Sequence, residues 1–419
     1  MRSLNRYPFL LLSFAFLTHF ASVHPSLAQE WKTVPLKQSI DSVAPWTGIV
    51  LWSDHEGNET DSIQLEFSYM SYRDVAISKG KYDWSAVESK LAEVASRGHQ
   101  AVLRFHYVYP GKPSAVPQFI KERPGYREIQ GKSEGKKTEF VDWSNNGIQE
   151  FTLDFYSAFA KRFDRDPRLA YLQTGFGLWA EYHIYSGPKK IGETFPSKDF
   201  QAKFLQHMNG VFQSTPWMIS VDAADGDYSP FEQKPELQNM RFGLFDDSFL
   251  CKEHPKYNAK NWGFFGSDRW KDSPGGGEFS YYNKKDQKLA LSKKGPNGRS
   301  FEDSAAEFHV SFMIGNDQPQ YQSMERIKQA GMATGYRIRV TQFETNGSNA
   351  RVTATNTGIA PMYHDAYLAI DGNRSKKSLR GLLPGKSIRV EVSHLGAEPK
   401  LTIESDRLVP GQSVPFDAE

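Results

Sequence analysis

Residues 85–107 read SAVESKLAEVASRGHQAVLRFHY. Ser85 and Glu88 have the spacing of a capping box, which predicts a helix opening there and closing at Gly98, where glycine suits the left-handed turn of a helix end. The apolar run AVLRFHY (101–107) follows at once and reads as a buried strand. A helix feeding straight into a strand is half of a parallel β-α-β unit. The alternation extends in both directions. Further strand-like runs are TGIVLW (47–52), IQLEFSYM (63–70), LAYLQTGF (169–176), PWMISVD (216–222), RFGLFDD (241–247) and FHVSFMI (308–314). Helix-period segments NGIQEFTLDFYSAFAKRF, KDFQAKFLQHMNGVFQ and SMERIKQAGM fall between or after them, the first capped by Asn145 or Ser144. A short Gly-rich run, GGGEFS (275–280), brings the strands to eight, the number of an α/β TIM (β/α)8 barrel. The helix-poor region 225–300 is expected to form long loops over the mouth.

At Gly335 the period changes. YRIRVTQFE, ARVTATNTG, HDAYLAIDG, KSIRVEVSH and PKLTIESD alternate apolar and polar residues between Gly, Asn and Pro turns. They predict a small C-terminal antiparallel β-sandwich over 335–419, behind a barrel at 29–334. At the other end, Arg2 and Arg6 precede the apolar run PFLLLSFAFL, and Ser26-Leu27-Ala28 offers small residues for cleavage near Ala28. Residues 1–28 therefore read as a secretory signal peptide, and the chain as secreted or periplasmic. No later run approaches the length of a membrane span, so no integral membrane segment is expected after cleavage.

Composition narrows the partners. Lys+Arg 51 against Asp+Glu 49 leaves no basic surplus for nucleic acid or an anionic membrane. A single cysteine, Cys251, excludes an internal disulfide framework and argues against a thiolate metal cluster. Aromatic residues make up 14% of the chain, and flat rings suit the faces of sugars and large cores alike.

In such a barrel the working groups project from the C-terminal strand ends. Those ends offer Trp52 on the first strand and Arg104 and His106 on the third. Trp179, Glu181 and His183 follow the fourth, Asp246 and Asp247 end the sixth, Glu278 lies on the seventh and His309 on the eighth. Glycosidic bond hydrolysis needs two carboxyl groups, one to protonate the leaving oxygen and one ionised to attack or to activate water. Glu181 and Glu278 fall on opposite sides of the mouth and are read as that catalytic pair. The aromatic neighbours of Glu181 would desolvate it and raise its pKa, as a proton donor requires. Trp52, Arg104, His106, Trp179, His183, Asp246, Trp270 and His309 would bind substrate, with a carbohydrate as the expected partner. Neither an organic cofactor nor a metal is implied, since His183, His309 and Asp222 lack the spacing of a local ligand motif. The structural alternatives are an ion-paired brace for Glu181 and a solvated turn for Glu278.

The stretch SYRDVAISKGKYDWSAVESKLAEVASRGHQAVLRF, with its G-x-Y-D-W, resembles the second and third strand units of clan A glycoside hydrolases, especially the family 42 β-galactosidase type. RDPRLAYLQTGFGLWAEYH, the GGGE loop, and GYR ahead of a β-module containing NTGIAP are more similar to a bacterial group, domain-of-unknown-function family 4832. That second resemblance spans nearly the whole mature chain. Together they imply a barrel with a trailing β-sandwich and a retaining hydrolase, its substrate a β-galactoside in the family 42 case. Glu181 would then be the acid/base and Glu278 the nucleophile. Ala180 departs from the pattern, because clan A enzymes keep an asparagine immediately before the acid/base. Three alternatives stand beside this reading: an inverting enzyme with Asp246 or Asp247 as base, a non-catalytic glycan-binding barrel, and a polysaccharide lyase built on Arg104, His106 and Tyr107.

Overall fold

The structure is a computed structural model that describes residues 30–394 and 398–418. The segment read as a signal peptide, with its cleavage point near Ala28, lies outside the described residues. Eight parallel strands close into a barrel in chain order. They are β1 (Gly48–Trp52), β2 (Leu65–Ser71), β3 (Gln100–His106), β4 (Leu169–Gln173), β5 (Trp217–Ser220), β6 (Gly243–Phe249), β7 (Gly275–Phe279) and β8 (Phe312–Ile314). β8 returns to β1 with Phe312 opposite Gly48. Each of these strands grows from one of the runs read in the sequence; all but the Gly-rich β7 are largely apolar, as strands covered on both faces are. β4 stops at Gln173, earlier than the run LAYLQTGF suggests.

Besides two four-residue turns of helix at Tyr72–Val75 and Gln118–Lys121, the helices among the described residues are α1 (Ser85–Ser96), α2 (Asn146–Phe163), α3 (Lys198–Val211), α4 (Asn258–Phe264), α5 (Lys284–Leu289), α6 (Phe301–Glu307) and α7 (Met324–Met332). α1 buries Val87, Leu91 and Val94 on one face. Its start differs from the capping box: Trp84 is the N-cap, and the Asp83 carboxylate accepts the Ser85 N–H at 2.9 Å. α2 is capped as read, with Asn145 accepting from the Gly147 N–H at 2.8 Å. It buries Ile148, Phe151, Phe155 and Phe159, and Phe155 lies 4.8 Å from the rings of both Phe105 and Tyr72. Much of the aromatic content is therefore core between helix and barrel rather than sugar platform. β1 to β2 and β5 to β6 cross through 3-10 turns alone.

Behind the barrel, β9 (Ile338–Thr345), β10 (Asn349–Asn356), β11 (Tyr367–Ile370), β12 (Asn373–Arg374), β13 (Ser387–Ser393), β14 (Leu401–Glu404) and β15 (Phe416–Ala418) form two sheets. β10 alternates half-buried and buried residues along its whole length, the period-2 pattern read from the sequence. An N-terminal pair, Lys32–Thr33, joins the β9 edge, so the start of the described chain belongs with this module and not with the barrel. The module's core is continuous with the barrel interior. One cluster runs from Val50, Phe67, Tyr171 and Phe312 to Ile338, Val352 and Leu368. Arg407 reaches under the barrel, donating to the carbonyls of Asp164 and Leu169 and to the Thr215 hydroxyl. The module seals the N-terminal end of the barrel and leaves the C-terminal end as its mouth. Among the described residues, no helix is long and apolar enough to cross a membrane.

Candidate active site

The mouth is organised around Arg104, which is fully buried inside the barrel. Its guanidinium lies among the rings of Phe67, Tyr69 and Phe245, 5.1, 5.5 and 4.2 Å from their centroids. It donates to Gln173 Oε1 at 2.9 and 2.5 Å and to the Trp179 carbonyl at 3.4 Å. A buried cation needs an anion, and Asp247 supplies it at 2.5 Å. Neighbouring residues on a strand face opposite ways, so Asp246 points outward. There it accepts from the Asn258 amide at 2.6 Å and the Trp262 indole at 3.1 Å. The inward acid of β6 is thus Asp247, correcting the assignment of Asp246 to the sugar site.

Gly277 sets Glu278 beside this pair. It is opposite Asp246 in the β6–β7 ladder, with φ +149°, and a Cβ there would lie 2.0 Å from the Asp246 carbonyl oxygen. Only glycine allows β7 so close. Gly277→Ala is expected to push the two strands apart and to destabilise the protein by at least ~1–3 kcal/mol, the usual range for overpacking. Chemical denaturation measures the loss.

Glu181 arrives differently, eight residues beyond the last residue of β4. The chain folds back so that Gly177 N–H donates to the Glu181 carbonyl at 2.8 Å, Leu178 N–H to that of His183 at 3.1 Å and Trp179 N–H to that of Val108 at 3.0 Å. A Cβ on Gly175 or Gly177 would meet the carbonyl of Ala180 or His183 at 2.1 or 2.0 Å. Trp179 and Ala180 are consecutively left-handed, with φ of 54° and 60°, a conformation that costs about 1–3 kcal/mol per non-glycine residue. Glu181 therefore stands on a strained, pinned loop and not on a strand end, which gives Ala180 a different setting from the clan A asparagine.

The electrostatics divide the acids by partner. Burial pushes the Glu181 carboxyl up to about 7; His183, 3.2 Å away, pulls it down, and Asp247 and Asp222 add to the rise. Burial works against a charge on His183, yet Glu181, Asp222 and Asp247 hold it up at about 9. Glu278 is raised well above the usual carboxylate range by burial and by Asp247 and Glu181, while Arg104 and the Trp52 N–H act the opposite way. Glu278 Oε1 is buried without a hydrogen-bond partner. Asp222 is raised by burial, against His183 and its Ser220 hydrogen bond. Burial and the charges of Lys112 and Arg73 lower His106 to about 4, so its ring is neutral at pH 7.

Donor atoms of Glu181, His183 and Asp222 lie within 4.8 Å of one another and are the side chains that could hold a metal ion. A metal-bound histidine must be neutral, so an ion held here would displace the His183 proton. His309, weighed with His183 and Asp222 as a ligand, is not part of this group.

The structure brings together Trp52, Arg104, His106, Trp179, Glu181, His183 and Glu278. It takes Trp270 and His309 away. The segment after β6, expected as mouth loop, carries α4 down the outside of the barrel. Trp270 there stacks on His309 at 3.6 Å, just ahead of β8, and its carbonyl accepts from the hydroxyl of Tyr363 in the C-terminal module. Both residues therefore sit at the sealed end. Tyr107, one of the two candidate bases of the lyase alternative beside His106, is buried outside the barrel, stacked on Tyr72 and bonded to Thr152.

Three tyrosines missed in the sequence stand near the acids. Tyr185, Tyr281 and Tyr282 are 60, 50 and 74% exposed. Tyr185 stacks on Trp179 at 6.1 Å, and its hydroxyl senses Glu181, as Tyr281 senses Glu278. Their signal was position: two adjacent tyrosines directly after the strand that carries Glu278.

No protein-family model matches this chain, and no curated protein matches it. Among solved structures it is similar to the galactosidase domain of the α-galactosidase–sucrose kinase AgaSK, with 9% identity, 83% of this chain and 54% of that one covered, and a TM-score of 0.38. It is similar to a β-galactosidase from the Antarctic haloarchaeon Halorubrum lacusprofundi at 10% identity, covering 68% and 57%, with a TM-score of 0.40. It is also similar to the GH36 α-galactosidase AgaA from Geobacillus stearothermophilus at 10%, covering 83% and 55%, with a TM-score of 0.37. The chain spans a little over half the length of each. Likenesses at this level add nothing to what the closed eight-stranded barrel already establishes about the fold.

Proposed function

We propose that the protein is an exported glycoside hydrolase that cleaves an oligo- or polysaccharide, with Glu181 and Glu278 as its catalytic acids. The observation that carries the reading is one barrel mouth holding two buried carboxyl groups with unlike partners. Glu181 faces a histidinium, which favours its anion. Glu278 has an unpartnered oxygen among other acids, which favours its proton. Their roles in this proposal are the reverse of those the family resemblance implies: Glu278 gives its proton to the leaving oxygen, and Glu181 is the ionised partner that attacks the anomeric carbon or activates water. Arg104 and Asp247 hold the floor of the site, while Tyr185, Tyr281 and Tyr282 offer ring faces to sugars. The narrower expectation of a retaining β-galactosidase is tested by the anomeric configuration of the first product, read by NMR.

The functional test is a polysaccharide panel, with product sizes read for the wild type and for Glu181→Gln. Cleavage by the wild type alone supports the proposal. Sugar binding without cleavage by either protein would leave a glycan-binding barrel instead. The pH profile tests the roles. The rate is expected to rise with pH through about 7 as Glu181 ionises. His183→Ala removes the cation that holds Glu181 down, so the rise should move to higher pH. A rate falling across that range would place the proton on Glu181.

A further inference from the structure

One wall of the mouth is basic. His106 ends β3, and its ring sits edge-on between Tyr69 and Tyr109 at 5.8 and 5.6 Å. Its Nδ1 is buried without a hydrogen-bond partner. Tyr109 continues this wall to the catalytic acids, 6.3 Å from the Trp179 ring and within the field of Glu278. Lys112 places its ammonium 4.2 Å from the Tyr109 ring centre and has no carboxylate partner among the described residues. Lys136, whose stem packs on Gly111, likewise has none. Arg73, directly after β2, is exposed and reaches the Ser114 carbonyl at 3.4 Å and the exposed Asp74 at 3.7 Å. Both Arg73 and Lys112 act electrostatically on His106. Two acids of the mouth are engaged elsewhere, Asp247 with Arg104 and Glu181 with His183.

Lys112 and Lys136 without a carboxylate partner, Arg73 held only by the exposed Asp74, and an imidazole nitrogen without a hydrogen bond fit a negative group brought by the ligand. We infer that the substrate is an anionic saccharide, whose carboxylate or sulfate ester lies against His106 between Arg73 and Lys112 while its ring rests on Tyr109. The inference rests on the mouth being the sugar site of the proposed hydrolase. It adds that a neutral overall charge conceals a local basic subsite. His106 would contribute a neutral hydrogen bond, and Arg73 and Lys112 the attraction.

Calorimetric titration tests it with four probes: oligogalacturonate and its carboxyl-reduced form, and a sulfated carrageenan oligosaccharide and its desulfated form. The wild type and Glu278→Gln are titrated first, then Glu278→Gln with Lys112→Ala or Arg73→Ala. Both cations are exposed, so unchanged melting temperatures are expected and serve as the folding control. At least one anionic probe should bind roughly tenfold or more tightly than its neutral form. Either alanine variant should remove most of that preference, and added salt should weaken it. Which pair shows the preference tells uronate from sulfate. Equal binding of charged and neutral probes, binding unaffected by both alanine variants, or no binding of any probe would overturn the inference. A charge preference without cleavage would uphold the inference and remove the hydrolase. Cleavage confined to neutral saccharides would do the opposite.

Discussion

Replacing Glu278 by glutamine is expected to slow hydrolysis of an ordinary saccharide by roughly 10²–10⁴-fold, the span of general acid catalysis. Glutamine keeps the shape of the side chain but has no proton to give. The defect should shrink when the leaving group is an activated aryl alcohol, which departs without protonation. Glu181→Gln should lose activity on both substrates alike, because the ionised partner is required whatever leaves. Comparing kcat/KM for the two variants on the two substrates reads the roles directly. If Glu181→Gln is the variant rescued by the activated leaving group, the assignment follows the family resemblance after all.

The second large effect is on stability. Arg104→Ala should destabilise the fold by about 3–5 kcal/mol, the range for removing one partner of a buried ion pair. Asp247 would lose its ion-pair partner, and the Gln173 oxygen would lose two donated hydrogen bonds. Urea unfolding of the single variant and of Arg104→Met with Asp247→Leu separates the causes. The double variant should recover much of the loss, since no unpaired charge remains and apolar volume replaces the pair. A single-variant loss below about 1 kcal/mol would mean that Asp247 reaches another cation or water.

What the sequence disclosed follows from which forces act locally. The Gly-rich seventh strand was read from the count of eight, and the other seven were legible because burial on both faces leaves a run of apolar residues whatever the neighbours are. The change of period at Gly335 was legible for the same reason, since a half-covered strand alternates. The acids at the mouth could be named from strand ends. Their pairing could not: nothing local tells that Asp247 rather than Asp246 faces inward, because the β6 run does not alternate cleanly and a bulge follows Asp246. Trp270 falls in a helix-poor stretch that reads as mouth loop, while the short α4 turns the chain back to the far end; His309 heads the β8 run and so lies at the strand's start, away from the mouth. The left-handed Trp179-Ala180 turn has no sequence signature either, since it is imposed by backbone bonds to Gly177, Leu178 and Val108. The charge on His183 needed the full set of surrounding acids.

The shared core beneath the barrel has one more consequence. By sequence the two modules are divisible at a glycine, yet Arg407 and the side chains around Trp46 and Tyr171 belong to both. Excising the rear module would wet the inside of the tube, so the smaller piece would be an open and adhesive fragment rather than a minimal catalyst. Loops at the mouth can then vary without loosening the frame, since its anchorage lies at the far end.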